Sequence, residues 1–237
     1  MAGDKALILE FGNQISRDIN TRVRAMMIGV ENNNWSFIEG LIPTYRSLMI
    51  QYNPLLITYD ALIEKLVDLE GQLSSMDIPS PIVIEIPVSY GQDHGEDLHF
   101  VAKYNSISEE DVVKIHTSRK YLIYMIGFTP GFPYLGGMDE AISSPRLDKP
   151  KMKIEAGSVG IAGSQTGVYP VESPGGWRII GRTPLKLYDA QRERPILLNT
   201  GDYIKFVAIG RDEYVKIKGE VEKNNYIPHT YPLEEVK

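Results

Sequence analysis

The chain of 237 residues contains no cysteine. Disulfide bonds, thiolate nucleophiles and cysteine-ligated zinc are therefore excluded, and any chemistry must come from oxygen and nitrogen side chains. Histidine is scarce as well, with four in the whole chain. His94 and His99 lie close together on a segment that also holds Gly and Asp. Because their spacing matches no established zinc pattern, we expect no metal site.

Long apolar runs are also missing. No uninterrupted stretch approaches the ~20 residues that a membrane-spanning helix needs, and the opening MAGDKALILEFG lacks the basic start and apolar centre of a signal peptide. We therefore expect a cytoplasmic protein without membrane contact. The net charge is −6 and no block of basic residues occurs, so nucleic acid is not an expected partner.

Motifs of self-sufficient catalysis are absent too. No G-x-x-x-x-G-K-[ST] run exists to cradle a phosphate, and the regularly spaced Gly157, Gly160 and Gly163 do not form the dinucleotide fingerprint. Ser158 lies one residue short of a G-x-S-x-G nucleophile elbow. The residues that follow it are loop-like rather than helical, which favours a serine in a tight turn.

The first third of the chain alternates strand-like and helix-like segments. Ser16 and Thr58 are the expected N-caps of its two helices. The order is β-α-β-β-α-β, typical of a ferredoxin-like domain, which we predict over residues 1–85. The predicted elements are strand 6–11, helix 15–30, strands 36–43 and 47–52, helix 62–69 and strand 82–88.

In the remainder of the chain, a helix is predicted to begin with a capping box at Ser108, and the helical periodicity disappears after it. Most of the 21 glycines lie between Gly127 and Gly210, interleaved with short β-prone runs. Many short strands with Gly and Pro turns indicate a closed antiparallel barrel or a sandwich over residues 86–219. We expect residues 220–237 to form a polar, mobile tail. The fold class is thus α+β.

The stretch from Gly127 to Pro184 concentrates unusual residues. If exposed, its large apolar groups form a partner or ligand surface; if buried, they belong to the core. Gln165, Thr166 and Tyr169 add hydrogen-bonding groups on a glycine-flanked loop, and Trp177 follows a sharp Pro-Gly-Gly turn. The apolar candidates for the surface are Phe128, Phe132, Tyr134 and Leu135.

Three cationic or titratable residues in or near this stretch have two interpretations each. Arg146 and Arg182 could bind a carboxylate or phosphate through two parallel hydrogen bonds, or could be solvated surface charges. His116 ends a helix just before the strand that leads into the Gly127 loop. It could satisfy the last helical carbonyls or act in binding or proton transfer.

Eight ordered motifs run from residue 3 to about 210: GDKALILEFG, PTYRSLMIQYNP, IPVSYG, IGFTPGFPYLGG, PRLDKP, GSVGIAGSQTGVYP, SPGGWRIIGRTPL and the late Gly201-Asp202. In these motifs the chain resembles the KipI family, also described as the B subunit of 5-oxoprolinase or the allophanate hydrolase subunit 1 domain.

The resemblance implies a C-terminal cyclophilin-like barrel and a chain that works with two partner subunits, one KipA-like and one LamB/YcsF-like. Together such subunits cleave 5-oxo-L-proline to glutamate with ATP hydrolysis. ATP is therefore expected at the level of the complex, with no cofactor on this chain alone. The wall of the shared site is assigned to the loops of Gln165, Thr166, Tyr169 and Trp177, with Arg182 and His116 as catalytic candidates.

Some KipI-type proteins instead inhibit a sensor histidine kinase. The corresponding hypothesis is a binding module that docks on the kinase through Phe128, Phe132, Tyr134 and Leu135. Prolyl isomerase activity by analogy with cyclophilins rests on fold alone.

Overall fold

The computed structural model describes residues 3–73, 76 and 78–233. The chain divides after Ser80 into two compact units, each with its own hydrophobic core. None of the helices formed by the described residues is both long and apolar enough to cross a bilayer.

The first unit consists of a three-stranded antiparallel sheet and two helices. The strand order is β1-β3-β2. The side chains of Ser16 and Thr58 accept hydrogen bonds from the first turns of the helices, which confirms both as N-caps. Its elements are β1 (Ala6–Glu10), α1 (Arg17–Asn32), β2 (Ile38–Pro43), β3 (Ser47–Tyr52) and α2 (Tyr59–Gln72).

The ferredoxin-like pattern predicted over residues 1–85 is not reproduced in full. Its last strand, β4 (Ile82–Tyr90), pairs with strands of the second unit and takes no part in the three-stranded sheet. The residues of β4 are buried on both faces over much of its length. A strand with two buried faces needs packing partners on both, which a large sheet between packed layers provides and the edge of a small sheet does not. Local periodicity does not show which sheet a strand joins.

The second unit contains an eight-stranded sheet with the main strand order β6-β5-β12-β4-β11-β8-β9. The two outer strands of that order, β6 and β9, lie against each other, so the sheet is a nearly closed barrel. Its strands are β4, β5 (Lys120–Ile126), β6 (Pro133–Gly136), β8 (Ser158–Ala162), β9 (Gln165–Val168), β11 (Arg178–Arg182), β12 (Tyr203–Ala208) and β13 (Thr230–Pro232); β7 (Lys151–Ile154) and β10 (Ser173–Gly175) form a separate pair.

The barrel is not wholly antiparallel as predicted, because β12 runs parallel to β4 along six residue pairs. The two strands are far apart in the sequence, and a β-prone run does not reveal the direction of its partner. The helices are α3 (Leu98–Tyr104), α4 (Glu109–Ser118) and α5 (Arg211–Glu222). Ser108 forms the predicted capping box with Asp111 at the start of α4.

The predicted polar tail of residues 220–237 is wrong for its described part. α5 continues to Glu222 and buries Tyr214, Ile217 and Val221, which recur at helical spacing. β13 then pairs antiparallel with the start of β4. The mostly polar composition of this segment hides these few apolar anchors. Residues 234–237 lie outside the described part of the chain.

Candidate functional site

Five aromatic side chains from the glycine-rich loops meet on the second unit. We call Phe128, Phe132, Tyr134, Tyr169 and Trp177 the aromatic cluster. The Phe132 ring is its centre, with centroids 6.2, 5.3, 5.8 and 5.7 Å from those of the other four in that order. All four contacts are edge-to-face, the arrangement that aromatic quadrupoles favour. The sequence-predicted aromatic residues therefore form one packed group.

Glycine is required beneath this cluster. A Cβ at Gly167 would lie 3.0 Å from the Trp177 ring, and one at Gly175 would lie 2.2 Å from the Tyr169 hydroxyl. The contact at Gly175 is too short for a side chain, and the contact at Gly167 would require the Trp177 ring to shift. The glycines therefore let large rings lie directly on the backbone, which explains why aromatic residues and glycines alternate in this stretch.

Phe128 differs from the rest of the cluster because its side chain is 80% exposed. Its φ of 67° is in the left-handed region, which costs a non-glycine residue free energy. The surrounding turn is held by hydrogen bonds from Gly127 N to Phe132 O and from Phe132 N to Thr129 O. Phe128 is therefore the most exposed ring of the aromatic cluster and the one that a partner reaches first.

Tyr169 is a buried, neutral phenol in the cluster. Burial raises its pKa, while a backbone hydrogen bond with Trp177 and the positive charge of Arg146 oppose that rise. Arg146 is itself exposed. The predicted cation thus lies near the rim of the aromatic cluster, where it is accessible from solvent.

A cleft of about 570 Å³ adjoins the cluster, and we call it the Arg182 cleft. A Cβ at Gly131 would lie 3.2 Å from the Tyr188 Cβ and 3.4 Å from the Pro170 Cβ, two residues of its wall. The loop that presents Phe128 therefore touches the cleft. Its charged and phenolic lining is Lys153, Glu155, Glu172, Arg182, Lys186, Tyr188, Tyr214, Lys218 and Glu222.

Arg182 is the most constrained cation of this cleft. Its side chain is 19% exposed, and Nη1 donates to Glu155 Oε2 at 2.5 Å. Its Nε is buried, and no acceptor among the described residues lies within hydrogen-bond distance of it. Buried donors are almost always paired, so the unpaired Nε is an exception in this structure, and only the Nη end of the guanidinium is placed to meet a ligand in the cleft.

The positive charge of Arg182 affects the pKa values of two neighbouring residues. Burial lowers the pKa of His94, and Arg182 lowers it further. Burial raises the pKa of Tyr214, and Arg182 opposes that rise. A smaller cavity of about 80 Å³ beside Arg182 is lined by His94, Ser158 and Ile179 among others. Arg182, although paired with Glu155, thus affects the electrostatics of both cavities.

His116, the other catalytic candidate, is fully buried inside the barrel. Its Nδ1 lies 2.7 Å from the Tyr90 hydroxyl and its Nε2 lies 2.8 Å from Thr166 Oγ1. Thr166 donates its own proton to Gly160 O, so it accepts from Nε2–H, and Tyr90 donates to Nδ1. The His116 ring also stacks on Phe206 at 4.5 Å.

Burial lowers the pKa of His116 to about 3, so the imidazole is neutral at physiological pH. A side chain with no exposed surface does not contact a substrate in this conformation. His116 therefore joins α4 to three barrel strands, β4, β9 and β12. Neither sequence interpretation, of a helix-capping or a catalytic histidine, describes this core role.

Two further predicted binding residues are also internal. Leu135 belongs to the main core of the second unit, and Thr166 is 1% exposed and bonded to His116. β6 alternates buried and half-buried positions, which turns Leu135 inward. Gln165 lies at the start of β9 and is half-buried. Neither Leu135 nor Thr166 is available as a direct contact.

A charged group around Asp97 was not anticipated from the sequence. Asp97 accepts from the backbone of Ile179 at 2.9 Å and lies 3.4 Å from both Arg178 Nη1 and Lys151 Nζ. The Arg178 guanidinium also lies 3.5 Å from the centre of the Phe100 ring. These residues come from separate segments, and only the fold brings them together.

No group of His, Cys, Asp or Glu that could hold a metal ion occurs among the residues described. His99 pairs with Glu109 at 3.1 Å on the surface, whereas the His94 ring packs against Tyr214. The two histidines thus have separate partners.

Comparison with known proteins agrees with the motif resemblance. Residues 1–198 match the sequence model of the carboxyltransferase domain, subdomains C and D. The 5-oxoprolinase B subunit of Bacillus subtilis (strain 168) is 42% identical over 229 residues, which are 92% of this chain and 95% of that protein. The expected likeness to the B subunit of 5-oxoprolinase is confirmed.

Solved structures show the same fold. The crystal structure of TTHA0988 superposes with a TM-score of 0.78 at 34% identity, over 87% of this chain and 40% of that longer chain. The urea amidolyase of K. lactis gives a TM-score of 0.75 at 20% identity over 98% of this chain and 16% of that chain, which bears on the fold alone. The chain belongs to the carboxyltransferase subdomain C and D family, which it shares with the B subunits of 5-oxoprolinases.

Proposed function

We propose that this chain is the B subunit of an ATP-dependent 5-oxoprolinase that cleaves 5-oxo-L-proline to L-glutamate, and that it is inactive alone. The near full-length match to the Bacillus subtilis protein carries the assignment. The Arg182 cleft supports it, because a small carboxylate is the kind of ligand that a half-buried arginine binds through its planar fork.

The chemistry explains why such a chain would need partners. Opening a five-membered lactam is uphill near neutral pH, because the product amine and carboxylate recyclise. Phosphorylation of the amide oxygen by ATP makes the carbonyl electrophilic enough for water to attack. Such a step needs anion-stabilising groups and exclusion of bulk water. The Arg182 cleft supplies cations, but Lys186, Lys218 and Glu222 on its walls are exposed.

In this proposal the KipA-like partner covers the Arg182 cleft and the LamB/YcsF-like partner completes the site. The assembly works in the cytoplasm, where ATP is available. Arg146 and the rim of the aromatic cluster adjoin the covered surface. Gln165, Tyr169 and Trp177 support that wall rather than react.

Reconstitution tests the assignment. The chain mixed with its two partner subunits should consume 5-oxoproline and release glutamate only when ATP is present, whereas the chain alone should show no turnover. Paired measurement of glutamate and phosphate release distinguishes coupled hydrolysis from an idle ATPase. An assembly that forms and hydrolyses ATP without loss of 5-oxoproline would rule out the proposed substrate.

A regulatory binding function is the second candidate, and exposed Phe128 favours it. In this alternative the chain inhibits autophosphorylation of a sensor histidine kinase by inserting the Phe128 ring into a groove of the kinase. Of the four residues first assigned to such a contact, Phe128 and half-buried Tyr134 are accessible, while Phe132 and Leu135 are buried.

The kinase alternative predicts a specific effect of Phe128→Gly. Glycine relieves the left-handed strain but adds backbone entropy, so the free energy of unfolding should change by less than about 1 kcal/mol. Inhibition of autophosphorylation should be lost. Leu55→Ser, at a site 92% exposed on the first unit, is the matched control and should inhibit as the wild type does. Equal inhibition by Phe128→Gly, or none by the wild type, would remove this alternative.

A further inference from the structure

A second cleft lies on the second unit, where the loop after β11 meets the end of α5. Its volume is about 560 Å³, within the usual range of small-molecule sites. The family match ends at residue 198, so part of this cleft comes from residues outside the matched stretch. Its walls are Leu185, Lys186, Asp189, Gln191, Arg192, Arg194, Ile196, Leu197, Asn199, Val221, Asn224, Tyr226, Ile227 and Pro228.

Positive charge predominates in this cleft. Lys186, Arg192 and Arg194 face a single carboxylate, that of Asp189. Asp189 lies 3.6 Å from Lys186 Nζ and 4.0 Å from Arg192 Nε, and it accepts from Gln191 N at 3.0 Å. One carboxylate cannot neutralise three cations. The surplus favours a ligand with at least two negative charges.

The two arginines of the cleft also differ in how firmly their side chains are held. Arg192 Nη1 donates to Lys186 O at 2.9 Å, which fixes its guanidinium against the wall of the cleft. Arg194 is exposed, and its contact with Asn199 Oδ1 is long, at 3.4 Å. A fixed arginine beside an exposed one is suited to a phosphate chain, whose oxygens accept several parallel hydrogen bonds.

Apolar residues also line the cleft. Leu185 and Val221 form a buried floor, and Tyr226 packs partly against the core. Ile227, at the rim, is 87% exposed. A cleft lined by apolar residues, an aromatic ring and a set of cations suits a ligand with a planar body and an anionic end.

We propose that this cleft binds a nucleoside phosphate, with the phosphates on Arg192, Arg194 and Lys186 and the base against Tyr226 and Ile227. Inorganic phosphate or a small carboxylate would leave most of the volume and the apolar residues unused. Side chains would here replace the backbone cradle of a P-loop, which the sequence lacks.

The position of the cleft gives a bound nucleotide a role in the proposed function, but the binding proposal does not depend on that function. Leu185, Lys186 and Val221 line both this cleft and the Arg182 cleft, so the two sites share a wall. If the proposed function holds, a phosphate chain bound here lies beside the site assigned to the carboxylate. Binding by the chain alone is measured without turnover, so it can fail while the 5-oxoprolinase assignment stands.

Isothermal titration calorimetry of the full chain with ADP tests the proposal. We expect saturable binding at one site, with adenosine and pyrophosphate each bound at least about tenfold more weakly, since each lacks half of the recognised groups. Arg194→Glu should weaken ADP binding by on the order of tenfold or more through loss of a charge-assisted contact. Ile227→Ser should weaken it by a few fold.

Lys216→Glu is the matched control. It makes the same charge reversal at an exposed position of α5 that lines neither cleft, and it should bind ADP as the wild type does. No saturable binding of ADP, or equal binding by the wild type and Arg194→Glu, would overturn the proposal. Equal affinity for pyrophosphate and ADP would overturn the nucleoside part and leave an anion site.

Discussion

Arg182→Gln should lower ATP-dependent loss of 5-oxoproline in the reconstituted three-subunit assembly by on the order of 100- to 1,000-fold. Glutamine keeps much of the side-chain length but removes the positive charge and the planar fork. In the free chain, Arg182 keeps one nitrogen on Glu155 and leaves buried Nε without an acceptor among the described residues. A substrate carboxylate that replaces Glu155 at the Nη end of the guanidinium would gain a charge-assisted hydrogen bond in a site closed to water.

The comparison of variants separates a substrate contact from a structural role. Arg182→Lys keeps the charge but not the fork, so KM should rise more than kcat falls. Arg119→Gln is the matched control, because it also breaks an arginine–carboxylate pair, that with Asp139, at an exposed site outside the Arg182 cleft. Its activity should stay within about twofold of the wild type. Activity of Arg182→Gln at the level of Arg119→Gln would exclude Arg182 from the site.

His116→Ala should destabilise the second unit by about 3–5 kcal/mol. The change leaves a cavity beside Phe206 and removes the hydrogen-bond partners of Tyr90 and Thr166 in the core. Urea unfolding followed by Trp177 fluorescence in a Trp35→Phe background measures this unit separately, since Trp35 belongs to the first unit. His99→Ala, at a side chain 80% exposed, is the control and should change stability by less than about 0.5 kcal/mol.

The dependence on pH gives a second test of the same histidine. The pKa of His116 is lowered to about 3 in the folded chain, whereas the unfolded chain titrates near the ordinary value of about 6.5. The stabilising contribution of the neutral ring is therefore fully present above about pH 6.5. It should be lost as the pH falls toward 3, by at most ~1.4 kcal/mol per unit. Tyr90→Phe should retain this slope, and His116→Ala should not; equal slopes would contradict the assignment.

Sequence reasoning succeeded where structure depends on nearby residues. The N-caps Ser16, Thr58 and Ser108 follow from side-chain chemistry within one helical turn. Sequence reasoning failed where the fold depends on the pairing of strands that are distant in the chain. The pairing of β4 with β12 in parallel and with β13 at its edge joins segments that no local pattern relates.

The same division applies to the candidate site. Composition pointed to the aromatic residues, because glycine beside a large ring is a local signal. Whether the other candidate residues are accessible depends on their burial in the folded chain. Leu135 turns inward because β6 alternates buried and half-buried positions, and Thr166 lies in a part of β9 that is buried throughout. Arg182 at the end of β11 meets Glu155 only in the folded barrel. Arg178 and Asp97, 81 positions apart, carry no local signal of their pairing.

Leu233 N donates to Pro81 O at 2.9 Å, beside the pairing of β13 with β4. The first and last strands of the second unit thus lie side by side. During translation, β4 leaves the ribosome long before β13 exists, so this edge of β4 stays unpaired until β13 has been made and is open to a chaperone or to pairing with a wrong strand. Adjacent ends also make the unit easy to splice into a larger polypeptide, because an inserted module then adds little separation between the flanking segments.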